Sequence, residues 1–268
     1  MRTSNPALGD DTFHIRANDD NTMTLGGTVI KSLILLAILC VGFVYTFNKA
    51  TVGYTEAQKL VMNEQLAEAG DATAIAIPQS VYNYALVGTL GGFVLAMIII
   101  FWQTSAPFLS PIYAGLEGIA LGAISAGFEA KFPGIVLQAA GATFGTLFGL
   151  LAVYMTGLIK PSENFKLGLF AAMCGILVAY FADSLMQMFG GTYIPVLHAN
   201  SGWGLVIQGA IVLVAALNLV LDFDFIEEGC GRAPKYMEWY ASFGLMVTLV
   251  WLYLEILKLL AKIRSNDD

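Results

Sequence analysis

Residues 201–228 read SGWGLVIQGAIVLVAALNLVLDFDFIEE, an apolar run that closes on four carboxylates. The part from 201 to 225 is long enough to cross a bilayer, which takes about 20 mostly apolar residues in a helix. A carboxylate at membrane depth is costly unless it is paired, protonated or hydrated, so such acids are candidate functional residues. This stretch therefore predicts a membrane-spanning helix and, near its end, a site.

The rest of the chain has the same apolar character. Of its 268 residues, 57% are hydrophobic and only 12% are charged, whereas soluble globular domains carry roughly 25% charged residues. We therefore predict an integral membrane protein. The net charge of −7 and the lack of a basic stripe argue against nucleic-acid binding.

Seven segments have the length and hydropathy of membrane spans. They predict an all-α bundle of seven transmembrane helices in one domain, 25–264, between a flexible polar tail at 1–24 and a short tail at 265–268. The bilayer is thus the first expected partner. The predicted spans are 25–47, 82–103, 109–128, 132–159, 165–189, 201–225 and 235–262.

Two local patterns refine this picture. Residues 55–69, in the longest polar connection, have helix-forming composition and predict an interfacial or extramembrane helix. Gly141, Gly145 and Gly149 recur every four residues in the fourth span, a spacing that lets another helix approach closely. We interpret these glycines as packing positions.

Nothing in the sequence is typical of an enzyme. His14 lies in the tail and His198 in a loop, and no glycine-rich phosphate loop, paired CxxC or HExxH pattern occurs. Cys40, Cys174 and Cys230 are dispersed and match neither a metal site nor a disulfide framework. We expect no catalytic residues and no cofactor.

Carboxylates at membrane depth are the remaining candidates. Neither Asp222 nor Glu117 has a cation within reach along its own helix, so these two are the strongest. A pair of acids that approach closely can share one proton and change charge near neutral pH. Deprotonated, their oxygens suit Ca²⁺. The candidates for gating and the ion pathway are Glu117, Asp183, Asp222, Asp224 and Glu255.

Some of these acids also have a purely structural interpretation. Polar residues lie about one helical turn away on each side of Asp183, so a hydrogen-bonded packing role is predicted as readily as a functional one. Glu255 lies three residues before Lys258 and predicts an ion pair within its own helix. Three further acids flank basic residues near the last turn and predict solvated interface charges; these are Glu227, Glu228 and Glu238.

The acidic segments carry a family resemblance. DFDFIEE at 222–228, followed by LYLE at 252–255, resembles the last two helices of the Bax inhibitor-1 family, also called the transmembrane Bax inhibitor motif family. APKYMEWY at 233–240 resembles its bacterial branch. The resemblance extends over about residues 25–264 and is most specific in the final two helices.

The resemblance implies seven helices with the last one central, and a pH-sensitive Ca²⁺ leak channel in the bacterial inner membrane. In that family an aspartate on each of the last two helices forms a proton-sharing pair that gates the pore. Asp222 or Asp224 matches the first acid and Glu255 the second, with transient Ca²⁺ at Asp222 and Glu255. The sequence departs in having Glu at the second position, and WQTS at 102–105 lacks the basic latch expected after the second span.

Residue counting does not decide whether Asp222 and Glu255 form the implied pair. With the turn at 229–234, a rise of 1.5 Å per residue puts Asp222 about 10 Å and Glu255 about 30 Å from it. Straight antiparallel helices would keep them apart. Either the last helix breaks, or the loop carries extra helix, or the pair is not formed and Glu117 partners one of the two acids.

Two other functions remain open. One is an interaction protein that modulates a membrane protease or a stress response, with other membrane proteins as partners. The other is a secondary transporter of a small solute, which would show substrate-dependent proton movement. The leading interpretation is a cation channel with Ca²⁺ and H⁺ as its ions.

Overall fold

The computed structural model describes residues 21–67, 79–159, 161–200 and 202–267, and these ranges are helical apart from short connections. No strand occurs within them. A single turn of 3₁₀ helix, Gln103–Ser105, joins α2 to α3. The helices are α1 Leu25–Ala67, α2 Gln79–Phe101, α3 Ala106–Lys131, α4 Ile135–Met155, α5 Glu163–Gly190, α6 Pro195–His198, α7 Gly202–Gly229 and α8 Met237–Asp267.

Seven of these helices are long and apolar enough to cross a membrane, which confirms the predicted count and the all-α class. The short α6 is the exception. Successive spans run up and down, so their ends gather at two faces of the bundle. We call the face where α1 and α8 begin the proximal end, and the face where α3 and α5 finish the distal end.

Helix α8 occupies the centre of the bundle. It packs against α1, α3, α4 and α7, and its buried side chains include Phe243, Leu252 and Leu257. Helix α5 is peripheral and rests mainly on α7, with large apolar side chains such as Leu177 and Phe181 exposed. Because the surrounding medium is lipid, such an apolar outer surface is expected of a membrane bundle.

Glycines decide how closely α1 and α3 pack. A Cβ added to Gly118 would lie 2.2 Å from the Leu39 carbonyl oxygen, and one on Gly122 would lie 2.5 Å from that of Phe43. Only glycine allows the two backbones this close. The prediction of close packing on the fourth span is wrong, because nothing among the described residues lies within 4 Å of a Cβ built at positions 141, 145 or 149.

Several element boundaries differ from the sequence prediction. The first span and the separate helix expected at 55–69 are one continuous helix as far as Ala67. Helix α7 runs on through the acidic segment to Gly229, because its acids lie at a helix end that reaches water. The predicted turn before α8 is confirmed.

The predicted flexible tail, 1–24, falls mostly outside the described residues, as does position 268. Its last part is ordered against the turn before α8. The Met23 amide donates to the Ala233 carbonyl at 2.8 Å, and the Gly231 amide donates to the Met23 carbonyl at 2.9 Å. Met23 itself is buried. Residues 21–24, which were predicted to belong to the tail, are thus held against this turn.

Candidate functional site: carboxylates in the membrane bundle

Asp222 is a half-buried acid with one buried oxygen and no counter-charge in the described part of the chain. It lies on α7, seven residues before Gly229, which places it about 10 Å from the proximal end. The Thr248 side chain of α8 faces its carboxyl group, but its Oδ2 atom is buried with no hydrogen-bond partner among the described residues. An unpaired buried charge is costly, so this carboxyl must take a proton, a water molecule or a cation.

Glu117 lies deeper, between α3 and α2. Eleven residues separate it from the start of α3, about 17 Å and near the middle of a bilayer core roughly 30 Å thick. The side chain of Tyr113, one turn earlier, faces its carboxyl group. A Cβ at Gly92 would lie 2.9 Å from Glu117 Oε2, so glycine at that position makes room for the acid. Within the described ranges Glu117 forms no ion pair.

Glu255 is buried too, yet its oxygens have several partners. The Tyr180 hydroxyl of α5 and Gln208 Nε2 of α7 donate to Oε2 at 2.9 and 2.7 Å. Lys258 Nζ lies 2.9 Å from Oε1, which is the pairing predicted within the helix. The side chain is 1% exposed. This carboxylate therefore joins α5, α7 and α8 toward the distal end.

The sixth- and seventh-helix acids do not meet. Gln208, which contacts Glu255, lies fourteen residues from Asp222 on α7, about 21 Å along the helix axis. The proton-sharing pair implied by the resemblance is therefore not formed in this structure, because both helices continue without a break between the two depths. No hydrogen bond within the described part of the chain joins Glu117 to either acid.

Asp224 has the counter-charge that Asp222 lacks. Lys166 Nζ of α5 lies 2.6 Å from Asp224 Oδ2 and 3.3 Å from Glu228 Oε1. Glu227 accepts a hydrogen bond of 2.5 Å from the Tyr154 hydroxyl. Glu227 and Glu228 are exposed, as predicted. Of the two family-matching positions, the structure thus leaves Asp222 without an ion pair.

Asp183 has several hydrogen-bond partners at the distal end. Its Oδ1 accepts from the Ile194 amide at 2.7 Å, and its Oδ2 accepts from Gln187 at 2.7 Å and lies 2.8 Å from His198 Nε2. The carboxylate therefore ties α6 and the segment before it to α5. These are the contacts that a hydrogen-bonded packing role for Asp183 requires.

One buried acid, Glu238, was not among the predicted site residues. The prediction of a solvated charge there is wrong: it is 0% exposed. It accepts hydrogen bonds from the Thr24 amide and hydroxyl, each at 2.9 Å, and forms an ion pair with Lys31. Lys31, a cation within the first predicted span, was the available signal, because a lysine at that depth requires a partner.

The carboxylates do not form a ready-made metal centre. No group of three or more His, Cys, Asp or Glu side chains that could hold a metal ion occurs in the described ranges. The two positions predicted for transient Ca²⁺, Asp222 and Glu255, are far apart on the bundle. Each would offer a single carboxylate to an ion, so strong binding is not expected.

Comparison with known proteins gives one match. Neither a curated protein nor a solved structure matches the chain. A family described as Bax inhibitor 1 like matches residues 5–265, which is nearly the whole chain and includes all seven spans. The protein is an integral, multi-pass membrane protein and belongs to the Bax inhibitor 1 like family.

Proposed function

We propose that the protein is a Ca²⁺-permeable leak channel, in the bacterial inner membrane, whose opening is controlled by protonation of Asp222. One observation carries the proposal: Asp222 Oδ2 is buried at the α7–α8 contact with no partner in the described part of the chain. A group in this position changes the cost of the closed bundle when it changes charge.

The direction of the pH effect follows from that cost. Protonated, the Asp222 carboxyl is neutral and fits between α7 and α8 at small cost. Deprotonated, it needs water or a cation, and either requires the two helices to separate at the proximal end. Ca²⁺ flux is therefore expected to rise as pH rises and to fall on acidification.

The other two acids, Glu117 and Glu255, lie at different depths of the proposed ion path and do not form a pair. Glu117 lies near the bilayer middle and, in the described ranges, has no ion pair, so it suits a second transient position for a cation. Glu255 is held by Tyr180, Gln208 and Lys258 and stabilises the closed distal half. We expect the two halves to respond separately, because about 21 Å of α7 lies between Asp222 and Gln208.

Ca²⁺ flux into proteoliposomes, measured from acidic to alkaline pH, tests the proposal. Asp222→Asn keeps the size of the side chain but cannot deprotonate, so its flux should stay at the low acidic level at every pH. Asp224→Asn is the matched control, since it removes an acid two residues away that is already paired with Lys166.

The control should retain the rise of flux with pH. An Asp222→Asn variant with the wild-type pH profile contradicts the gating role. Flux that requires a second solute and moves protons with it would instead support the transporter alternative. No flux at any pH in correctly folded protein would favour the interaction-protein alternative.

A further inference from the structure

The distal end contains a cavity that the proposed gate does not use. Its volume is about 590 Å³, within the range of small-molecule sites in proteins. Tyr180 lies at its inner part, ten residues before the end of α5, so the cavity extends about 15 Å into the bundle. Its wall is formed by Phe128, Lys131, Phe132, Tyr180, Asp183, Leu197, His198, Asn200, Gln208, Lys258, Ala261, Lys262 and Ser265.

Positive charge dominates this wall. Three lysines line it, and of these only Lys258 has a carboxylate partner among the described residues, namely Glu255. Lys262 Nζ donates to the Leu197 carbonyl at 2.7 Å, and the exposed Lys131 forms no ion pair in the described ranges. Two ammonium groups are therefore available to an anion.

The nearby carboxylates are already engaged. Asp183 binds Gln187, the Ile194 amide and His198. Glu129 accepts from the Gly134 amide at 2.6 Å and the Val136 amide at 3.1 Å. Arg264 adds a further cation beside α4, where it donates to the Pro133 carbonyl and to Gln138 Oε1. The cations named here, three lysines and one arginine, thus outnumber the three carboxylates Asp183, Glu129 and Glu255 by one, and each of those carboxylates already has donors.

The cavity is amphipathic and lies where the helices end. Lys131, at the last position of α3, and Ser265 mark its outer part, whereas Phe128, Phe132 and Ala261 give it an apolar wall. Basic pockets between transmembrane helices at the level of the membrane surface suit lipid head groups. A soluble anion would use the ammonium groups but not the apolar wall.

We propose that this cavity binds an anionic phospholipid. Its phosphate lies between Lys131 and Lys262, with Asn200 and Ser265 within the same wall to donate hydrogen bonds, and an acyl chain follows Phe128 and Phe132. The site is distinct from Asp222, which lies toward the other end of the bundle. The proposal holds whether or not the chain conducts ions.

Lipid binding to the purified full chain in a non-ionic detergent tests the site. Native mass spectrometry would measure retention of phosphatidylglycerol and of phosphatidylcholine, and inorganic phosphate would be titrated separately as the soluble anion. Each lysine near a membrane surface contributes to the free energy of binding an anionic lipid. The loss of both lysines should therefore weaken phosphatidylglycerol binding about 30-fold. The variant is Lys131→Gln with Lys262→Gln.

Two controls separate charge from folding. Lys131→Arg with Lys262→Arg keeps both charges and should retain binding. Lys49→Gln removes an exposed lysine of α1 that faces Tyr45 and does not line the cavity, so it should bind as wild type does.

Phosphatidylglycerol binding that is lost in the Gln variant and kept in both controls supports the site. Equal retention of phosphatidylglycerol by wild type and the Gln variant overturns it, as does equal retention of the two lipids by wild type. Binding of inorganic phosphate without selective lipid retention overturns the lipid assignment.

Discussion

Asp222 and Glu255 lie on neighbouring helices of one membrane bundle, and both have buried carboxyl oxygens. Glu255 receives hydrogen bonds from α5 and α7 and an ion pair from its own helix. Asp222 faces a single threonine hydroxyl and keeps one oxygen without a partner in the described part of the chain. Burial alone therefore does not separate these two acids, but the number of donors does, and we propose that it separates a structural acid from a switch.

This difference has a physical basis. A carboxylate that already has an ion pair and hydrogen bonds is stable in its charged form, and removing its partners is costly. When a carboxyl group has no partners, the helix packing around it is stable if the group is protonated and less stable if it is charged. We therefore expect the partnered acids to control stability and the unpartnered acid to control opening.

Lys31→Met should give the largest effect, because it would remove the counter-charge of Glu238 and leave only the hydrogen bonds from Thr24. Glu238 is fully buried and Lys31 is its ion-pair partner, so the change leaves an uncompensated buried charge. We expect a loss of about 3 kcal/mol in the free energy of unfolding, measured by equilibrium unfolding in mixed micelles. The double variant Lys31→Met with Glu238→Gln should recover part of it; equal losses would show that the ion pair is unimportant.

Glu255→Ala should destabilise by somewhat less. It leaves Lys258 unpaired and removes the acceptor for Tyr180 and Gln208, but the Lys258 side chain is 40% exposed and can be hydrated. We expect about 2 kcal/mol, measured in the same way. Glu255→Gln keeps hydrogen-bonding groups and should lose less. An alanine variant as stable as wild type would remove the contrast with Asp222.

Gln208→Leu should cost about 1 kcal/mol, because it takes one donor from Glu255 while Tyr180 and Lys258 remain. Asn218→Leu is the matched control on the same helix. Asn218 is also buried, but its hydrogen bond goes to the Val214 carbonyl one turn earlier. A loss at Asn218 that matched the loss at Gln208 would mean that the link between helices adds no stability.

Asp222→Asn should have the smallest effect on stability, within about 0.5 kcal/mol of wild type at neutral pH. It removes a charge that has no partner to lose, and the amide is almost the same size. The same unfolding measurement applies, with Asp224→Asn as the comparison. A loss as large as that of Glu255→Ala would place Asp222 among the structural acids.

Hydropathy alone was enough to predict the seven spans, because each is a long apolar run bounded by polar residues. The pairing of Lys31 with Glu238 could not be predicted in the same way, since the two lie 207 residues apart and only the packing of α1 on α8 brings them together. Likewise, four-residue glycine spacing in α4 favoured close packing, yet the glycines that meet the backbone of another helix lie on α1, α2 and α3, such as Gly42, Gly88 and Gly118.

The candidate acids were visible in the sequence, but their partners were not. Counting residues indicated that Asp222 and Glu255 lie at different depths, and the unbroken helices α7 and α8 keep them apart. Whether an acid finds donors depends on side chains from other helices, such as Tyr180 and Gln208 for Glu255. Those contacts follow from the tertiary fold and not from local pattern.

Infrared difference spectroscopy of the protein in lipid, recorded across pH beside Ca²⁺ flux, tests the central claim most directly. A protonated carboxyl group has a carbonyl stretching band that disappears when the group deprotonates. We expect such a band in the wild type, absent from Asp222→Asn, that is lost over the same pH range in which flux rises. A band that persists in the Asn variant, or flux that rises at a pH where the band is unchanged, would contradict it.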